Sequence, residues 1–189
     1  MVFKPWYLVM TEKKVIAETI AWIQSIVIDC LFCPFAAKAM ADKSVHFVVL
    51  EEVAEQPVLT ALLEQLQYLN DTADVETTFL ILPNGFKDFS AYLALVASAE
   101  KLVRRHHYEG VYQIASFHPY YCFAGSDPED PANYTNRSIY PMLHILRESS
   151  ITHALQHFPH PELIPQRNID FARAKGLEYM QLLRESCLR

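Results

Sequence analysis

The sequence predicts a small α/β protein with a three- or four-stranded, mostly parallel sheet, flanking helices and a helical C-terminal third. Three strand-like runs alternate with two helical segments between Val45 and Phe117. Such alternation is typical of βαβ units, which favour parallel pairing and right-handed crossovers. After Ser138 the pattern returns to helical spacing. An α+β ferredoxin-like fold with an extra strand at Tyr120 to Ala124 is the alternative.

The N-terminal half supports this prediction element by element. Apolar residues between Val15 and Cys30 recur at steps of three and four, which predicts an amphipathic helix. The β-branched run Val45 to Leu50 indicates a buried strand. Behind Pro57 the leucine spacing is again helical, and Thr77 to Leu82 indicates a second strand, closed by a Pro-Asn-Gly turn.

The next helix has clear signals at both ends. Asp88 is a candidate N-cap, and Arg104 and Arg105 lie where cations favour a helix C-terminus. A third strand follows over Val111 to Phe117, and the turn residues of Ser126 to Ala132 predict a loop. Further helices are expected from Ser138, from Ser149 or Ser150, and over about Asn168 to Ser186.

Length and composition bound the class of protein. With 189 residues, 51% of them apolar, residues 1–189 are expected to form a single domain. The formal charge of −6 argues against nucleic acid as a partner. The longest apolar run, Ile20 to Cys33, is interrupted by polar residues, and the first residues lack a secretory pattern, so we expect a cytoplasmic protein without membrane contact. The oligomeric state stays open.

The pair Cys30 and Cys33 is the first candidate for chemistry. Pro34 and an Ala-rich stretch follow, so Cys33 is a candidate helix N-cap, where helix amides would lower the pKa of its thiol. In this interpretation Cys33 is a nucleophile or redox thiol and Cys30 its resolving partner. Alternatively, both are small core residues.

His118 is the second candidate. It lies among aromatic residues where the third strand is expected to leave the sheet, and ligands of open α/β sheets bind beyond such strand ends. An imidazole there suits a catalytic acid or base. The alternative is a hydrogen-bonded core histidine.

The third candidate is an anion-binding stretch. If Ser138 caps a helix, its amides and the fork of Arg137 suit a carboxylate or phosphate. His144 and Arg147 would then share one helical face. We expect a small anionic molecule to be held by Asn133, Asn136, Arg137, His144 and Arg147. An amphipathic helix packed into the core is the alternative.

A zinc site is the competing interpretation of the same motifs. Cys30, Cys33, His118 and Cys122 offer four zinc-type ligands in two close pairs. This set would make a non-catalytic metalloprotein. Spacing alone does not decide between metal and thiol chemistry.

The motifs Cys-Leu-Phe-Cys-Pro-Phe-Ala at 30–36, Phe-His-Pro-Tyr-Tyr at 117–121 and Asn-Tyr-Thr-Asn-Arg-Ser at 133–138 resemble those of the bacterial domain of unknown function family 1415. The resemblance spans nearly the whole chain. It implies a single-domain cytoplasmic protein and carries over no reaction. The residues themselves favour a small-molecule enzyme with thiol-based nucleophilic or redox chemistry. Two alternatives to the enzyme stay open: a non-catalytic zinc-binding protein and a ligand-binding module without turnover.

Overall fold

The computed structural model describes residues 11–51, 54–156 and 158–188. In chain order the described helices and strands are α1 (Glu12–Trp22), a π-helix (Ile23–Ile28), α2 (Ala36–Ala41), β1 (Val45–Val49), α3 (Glu55–Asp71), β2 (Thr77–Ile81), α4 (Phe89–Arg105), β3 (Tyr112–Phe117), β4 (Met142–Arg147), α5 (Glu148–Leu155), α6 (Ile164–Lys175) and α7 (Leu177–Glu185). Short 3₁₀ segments at Pro131–Thr135 and Pro161–Leu163 complete the set. The α/β class is confirmed.

The sheet is mixed and has the order β1-β2-β4-β3. Strands β1 and β2 pair in parallel, whereas β4 pairs antiparallel with both β2 and β3. Three strands therefore run in one direction and β4 runs against them between two of them. The expectation of a mostly parallel sheet is wrong in this respect.

The strand that the sequence pattern missed is β4. Its residues were predicted to start a helix at Ser138, and the extra strand of the ferredoxin-like alternative was sought at Tyr120 to Ala124, which forms turns. Because β4 is central and both of its faces are covered, Met142, Leu143 and Ile145 are all buried. A strand covered on both faces shows no period-two alternation of apolar and polar residues, which removes the usual strand signal.

Helices cover both faces of the sheet. On one face, α3 and α4 pack through residues such as Leu62 and Leu95 against Leu80 and Leu143. On the other, the α1 and π-helix residues Trp22 and Ile26 lie in one cluster with Phe79 and Met142. Residues of α6 and α7, among them Ala172 and Met180, complete this second layer. The result is a three-layer α/β/α arrangement.

Several helix ends follow from local chemistry. Asp88 caps α4 as predicted, because its carboxylate accepts the Ala91 N–H at 2.8 Å. The long helix expected over Asn168 to Ser186 is divided into α6 and α7 by Gly176, whose φ of 84° favours glycine. Within the described ranges, no helix combines the length and apolar character that a membrane crossing requires.

Candidate functional site

A cavity of about 430 Å³ lies where the turn after the π-helix meets α6 and the 3₁₀ segment Pro131–Thr135. Its apolar walls include Val27, Phe117 and Ile169. Its polar lining is formed by Cys33, Ser126, Asp130, Thr135, Asn136, Asn168 and Arg173. The cavity therefore brings together one thiol, several neutral hydrogen-bonding groups and one pair of opposite charges.

The turn that carries Cys33 has unusual backbone geometry. The π-helix Ile23–Ile28 leads into it, and π-helical turns are frequent at functional sites. Leu31 then adopts a left-handed conformation at φ 57°, which is strained for a residue with a branched side chain. The Cys33 N–H donates to the Val27 carbonyl at 3.2 Å and closes the turn.

Helix α6 fixes this turn from outside. The side-chain amide of Asn168 donates to the Phe32 carbonyl at 2.7 Å, and the guanidinium of Arg167 donates to the Leu31 carbonyl. Arg167 also donates to the Asn168 amide oxygen at 3.2 Å. These bonds satisfy two carbonyls of a non-repetitive segment and thereby support the strained turn.

Cys33 is half-buried and lines the cavity. It is not the helix N-cap that the sequence predicted, because α2 begins at Ala36 after Phe35. Burial raises the pKa of the Cys33 thiol, while hydrogen bonds from the backbone N–H groups of Phe35 and Ala36 act in the opposite direction. The expected lowering of this pKa is therefore wrong, since desolvation outweighs the two amides.

Cys30 lies in the hydrophobic core and does not line the cavity, and its thiol is directed to the Ser25 carbonyl at 3.5 Å. Burial raises its thiol pKa, and the charge of Asp29 raises it further. Cys30 and Cys33 are both free thiols. The resolving role of Cys30 stays a prediction.

The structure does not bring His118 to the cavity. Its ring is fully buried, with Nε2 at 2.9 Å from the Phe86 carbonyl and Nδ1 accepting the Tyr120 N–H at 3.0 Å. These partners define a neutral ring whose proton is on Nε2. Burial lowers the His118 pKa, which the hydrogen bond to Phe86 opposes. Neither nitrogen is free for proton transfer in this conformation.

Asn133 and Asn136 both organise the loop near the cavity. Asn133 is buried, accepts the Phe123 N–H at 3.0 Å and donates to the Asp127 carbonyl at 2.8 Å. Asn136 lines the cavity while donating to the Ser116 carbonyl at 3.1 Å. Of the five residues predicted to bind an anion, Asn136 is thus the member that contributes to the cavity wall.

Arg137 holds the same loop from its other side. Its Nε donates to the Tyr121 carbonyl at 2.9 Å and one Nη to the Pro128 carbonyl at 2.6 Å. The guanidinium also stacks 4.9 Å above the Tyr134 ring. Arg137 does not line the cavity of Cys33.

His144 and Arg147 lie on β4, on opposite faces of the sheet, and not on one helical face. His144 stacks on Phe79 with ring centroids 3.7 Å apart, and its Nε2 lies 2.5 Å from the Thr77 hydroxyl. Burial lowers the pKa of His144 to about 3. Arg147 donates to the Leu69 carbonyl at 2.5 Å, at the end of α3. The grouping of these two residues with Arg137 around one anion is wrong.

The four candidate zinc ligands do not form a cluster. Cys122 places its thiol 3.5 Å from the Ser126 carbonyl, and the His118 nitrogens are engaged as described above. Within residues 11–51, 54–156 and 158–188, no three or more His, Cys, Asp or Glu side chains are arranged to hold a metal ion. The residues present therefore do not fit the tetrahedral set suggested by their spacing.

Sequence reasoning missed the ion pair at the cavity. Arg173 of α6 makes a bidentate contact with Asp130, at 3.1 Å from Nε and 2.6 Å from one Nη. The Arg173 hydrogen bond, followed by the hydrogen bond from the Ala132 N–H, lowers the pKa of Asp130 to about 2. Asp130 precedes Pro131 in a segment read only as a loop, and 43 residues separate the partners. No local spacing signals such a contact.

The architecture and the cavity define an α/β protein with a mixed sheet and a cysteine-lined cavity of small-molecule size. The chain belongs to the family described as Protein of unknown function (DUF1415), whose match covers residues 14–182. The resemblance carried by the three motifs is thereby confirmed. No curated protein and no solved structure matches the chain.

Proposed function

We propose that this protein binds a small molecule in the cavity and that Cys33 reacts with it as a nucleophile. The observation that carries the proposal is a half-buried thiol on a strained turn that α6 fixes against the cavity. Backbone strain of this kind persists only where surrounding contacts support it, and it is concentrated at functional sites.

The lining defines the class of ligand. A volume of about 430 Å³ lies within the range of small-molecule sites. Phenyl and branched aliphatic side chains form much of the wall, and the charges of Asp130 and Arg173 neutralise each other. An uncharged molecule with an apolar body and a hydrogen-bonding end fits this lining better than an anion.

The reaction that suits this thiol is an addition to a polarised double bond. The Cys33 sulfur bonds to the electron-poor carbon, and the thiol proton goes to the electron-rich end of the double bond. Atoms and electrons balance without an oxidant or a further reactant. Negative charge forms on sulfur when the thiol loses its proton, and the N–H groups of Phe35 and Ala36 stabilise this thiolate before the charge passes to the electron-rich end of the double bond.

Ligand binding without turnover is the second candidate. The raised Cys33 pKa favours the neutral thiol near pH 7, and no histidine contributes to the described cavity lining. A nucleophile without an adjacent base reacts slowly. The cavity would then bind a small molecule that contacts the Cys33 thiol without reacting with it.

N-ethylmaleimide tests the proposal because it is small, uncharged and carries a polarised double bond. We expect one adduct at Cys33, formed at a rate that rises with pH beyond the ordinary thiol pKa of about 8.5, as followed by peptide mass spectrometry. N-ethylsuccinimide, which has the same shape without the double bond, should slow this reaction by competition. Cys33→Ser should remove the adduct.

The control is Cys122→Ser, which leaves the cavity lining unchanged and should retain the Cys33 adduct and its protection. Failure to modify Cys33, combined with thermal stabilisation by N-ethylsuccinimide, would support binding without thiol chemistry. Modification of Cys33 without protection by the succinimide, or no effect of either compound, would contradict the proposed use of the cavity.

A further inference from the structure

Two arginines lie beside each other where α7 packs on the segment after the 3₁₀ turn Pro131–Thr135. Arg184 of α7 donates from Nε to the Ser138 carbonyl at 2.8 Å. Arg137, the residue preceding Ser138, donates to the Tyr121 and Pro128 carbonyls. All three contacts are with neutral carbonyls, so backbone dipoles and not counter-charges hold both guanidinium groups in place.

Neither guanidinium has a carboxylate partner within the described ranges. The ion pairs found there join other residues, including Arg173 with Asp130. Each guanidinium has five N–H donors, and the bonds above use one of Arg184 and two of Arg137. Burial lowers the pKa of Arg184 and the like charge of Arg137 also lowers it, whereas Tyr134 and the carboxylate of Glu185 act in the opposite direction. An unpaired, partly buried pair of cations is costly unless an anion joins it.

Tyr134 supplies an independent observation at the same place. The residue is only 4% exposed, yet its hydroxyl makes no hydrogen bond within the part of the chain described. The Arg137 guanidinium lies 4.9 Å above its ring, and its oxygen is close enough to influence Arg184 electrostatically. The hydroxyl oxygen is not among the fully buried polar atoms that lack a partner in the described residues, so it reaches solvent although the ring is buried. The hydroxyl is therefore available as a further donor to a ligand.

We propose that Arg137, Arg184 and the hydroxyl of Tyr134 form a binding site for the oxyanion group of a small molecule, a phosphate or a carboxylate. Guanidinium groups bind both anions through paired N–H donors, and anchoring to backbone carbonyls reduces the entropy lost on binding. This site is separate from the Cys33 cavity, and either can be absent without the other. The chain's net negative charge favours a small anion over a nucleic acid.

Calorimetric titration tests the site with two probes, inorganic phosphate and malonate, near neutral pH and at constant low ionic strength. We expect saturable binding of at least one probe in the millimolar range or tighter. Arg184→Gln should weaken it about tenfold or more, because charge-assisted hydrogen bonds are lost. Arg184→Lys should retain part of the affinity, and Tyr134→Phe should weaken it severalfold. Preference for phosphate or malonate identifies the oxyanion.

The matched control is Arg105→Gln, which removes an exposed arginine at the end of α4 and should bind like the wild type. Near-ultraviolet circular dichroism establishes that each variant is folded, and Arg184→Lys provides the comparison if Arg184→Gln is not. Absence of saturable binding by the wild type would overturn the proposal. Equal affinities in the wild type, Arg184→Gln and Arg184→Lys would overturn it as well.

Discussion

The Cys33 turn and the His118 segment are both Pro-containing motifs with a reactive side chain among aromatic residues, but their surroundings differ. Cys33 is half-buried, lines a cavity and is held by backbone contacts to the turn around it. His118 is fully buried, and both of its ring nitrogens have backbone partners. In the first segment, contacts to the backbone hold the turn and the Cys33 thiol stays accessible from the cavity. In the second, the His118 side chain itself forms the hydrogen bonds that hold the loops.

This difference shows that residue type and sequence context do not separate a reactive group from a structural one. The deciding quantity is how many hydrogen bonds the side chain has already made within the fold. The His118 ring connects the 83–88 turn to the segment after β3 through Phe86 and Tyr120. Its role is to hold these two loops beside α4.

The largest expected effect comes from His118→Ala. The substitution leaves the Phe86 carbonyl and the Tyr120 N–H without their partner and opens a void beside Phe89 and Tyr92. We expect the free energy of unfolding to fall by about 2–4 kcal/mol, as measured by urea denaturation.

His106→Ala, at an exposed histidine after α4, is the matched control and should change stability by less than about 0.5 kcal/mol. The rate of Cys33 modification in folded His118→Ala should stay near that of the wild type. If His118→Ala instead lost Cys33 reactivity and kept its stability, His118 would act on the thiol and would not have the structural role assigned to it.

A second expected effect concerns pH and His144. Its pKa of about 3 in the folded state lies below the value of about 6.5 in the unfolded chain. The unfolded state therefore binds the proton more tightly, so this contribution to stability is complete above pH 6.5 and is lost as the pH falls towards 3. Between pH 6.5 and 5 the loss is about 2 kcal/mol, from about 1.4 kcal/mol per pH unit.

His144→Phe retains an aromatic ring against Phe79 and removes the titrating group. The variant should lose less stability than the wild type when urea unfolding is compared at these two pH values. The Thr77 hydroxyl keeps its bond to the Ile145 carbonyl in the variant. An unchanged pH dependence would show that the proton is taken up elsewhere.

The smallest effect is expected from Asn168→Ala. Removing the amide frees the Phe32 carbonyl and should cost about 1 kcal/mol of unfolding free energy, because one partly buried hydrogen bond is lost. Since the turn is then less constrained, the rate of N-ethylmaleimide addition at Cys33 should change severalfold. The neighbouring Gln166→Ala, whose side chain bonds only within α6, should leave that rate unaltered. Equal rates in all three proteins would mean that α6 does not position the thiol.

Local patterns predicted the elements whose signals are contained in a few adjacent residues. The Asp88 cap, the arginines that end α4 and the positions of β1, β2 and β3 are confirmed. Each depends on periodicity, capping or the residues of a turn. The family resemblance, which three short contiguous motifs carry, is also confirmed by the family match over residues 14–182.

Contacts between distant segments were beyond sequence reasoning. The cavity needs Cys33 and Asn168 to meet, and its ion pair joins Asp130 to Arg173. Burial in the folded chain raises the pKa of Cys33, so the helix-dipole argument gave the wrong direction. β4 was missed because a central strand covered on both sides has the composition of a buried helix.

The antiparallel position of β4 also sets an order on folding. In the sheet formed by the described residues, β4 lies between β2 and β3, pairs with both and follows both along the chain. During synthesis, the edge of β2 that faces β4 and the strand β3 stay unpaired until residues 142–147 have been added. Closure of the sheet is therefore a late event that depends on pairing of β2 with β4 across at least sixty intervening residues, where loop-closure entropy slows assembly. A chain interrupted before Met142 would leave the β4-facing edges of both β2 and β3 unpaired, and unpaired strand edges favour aggregation.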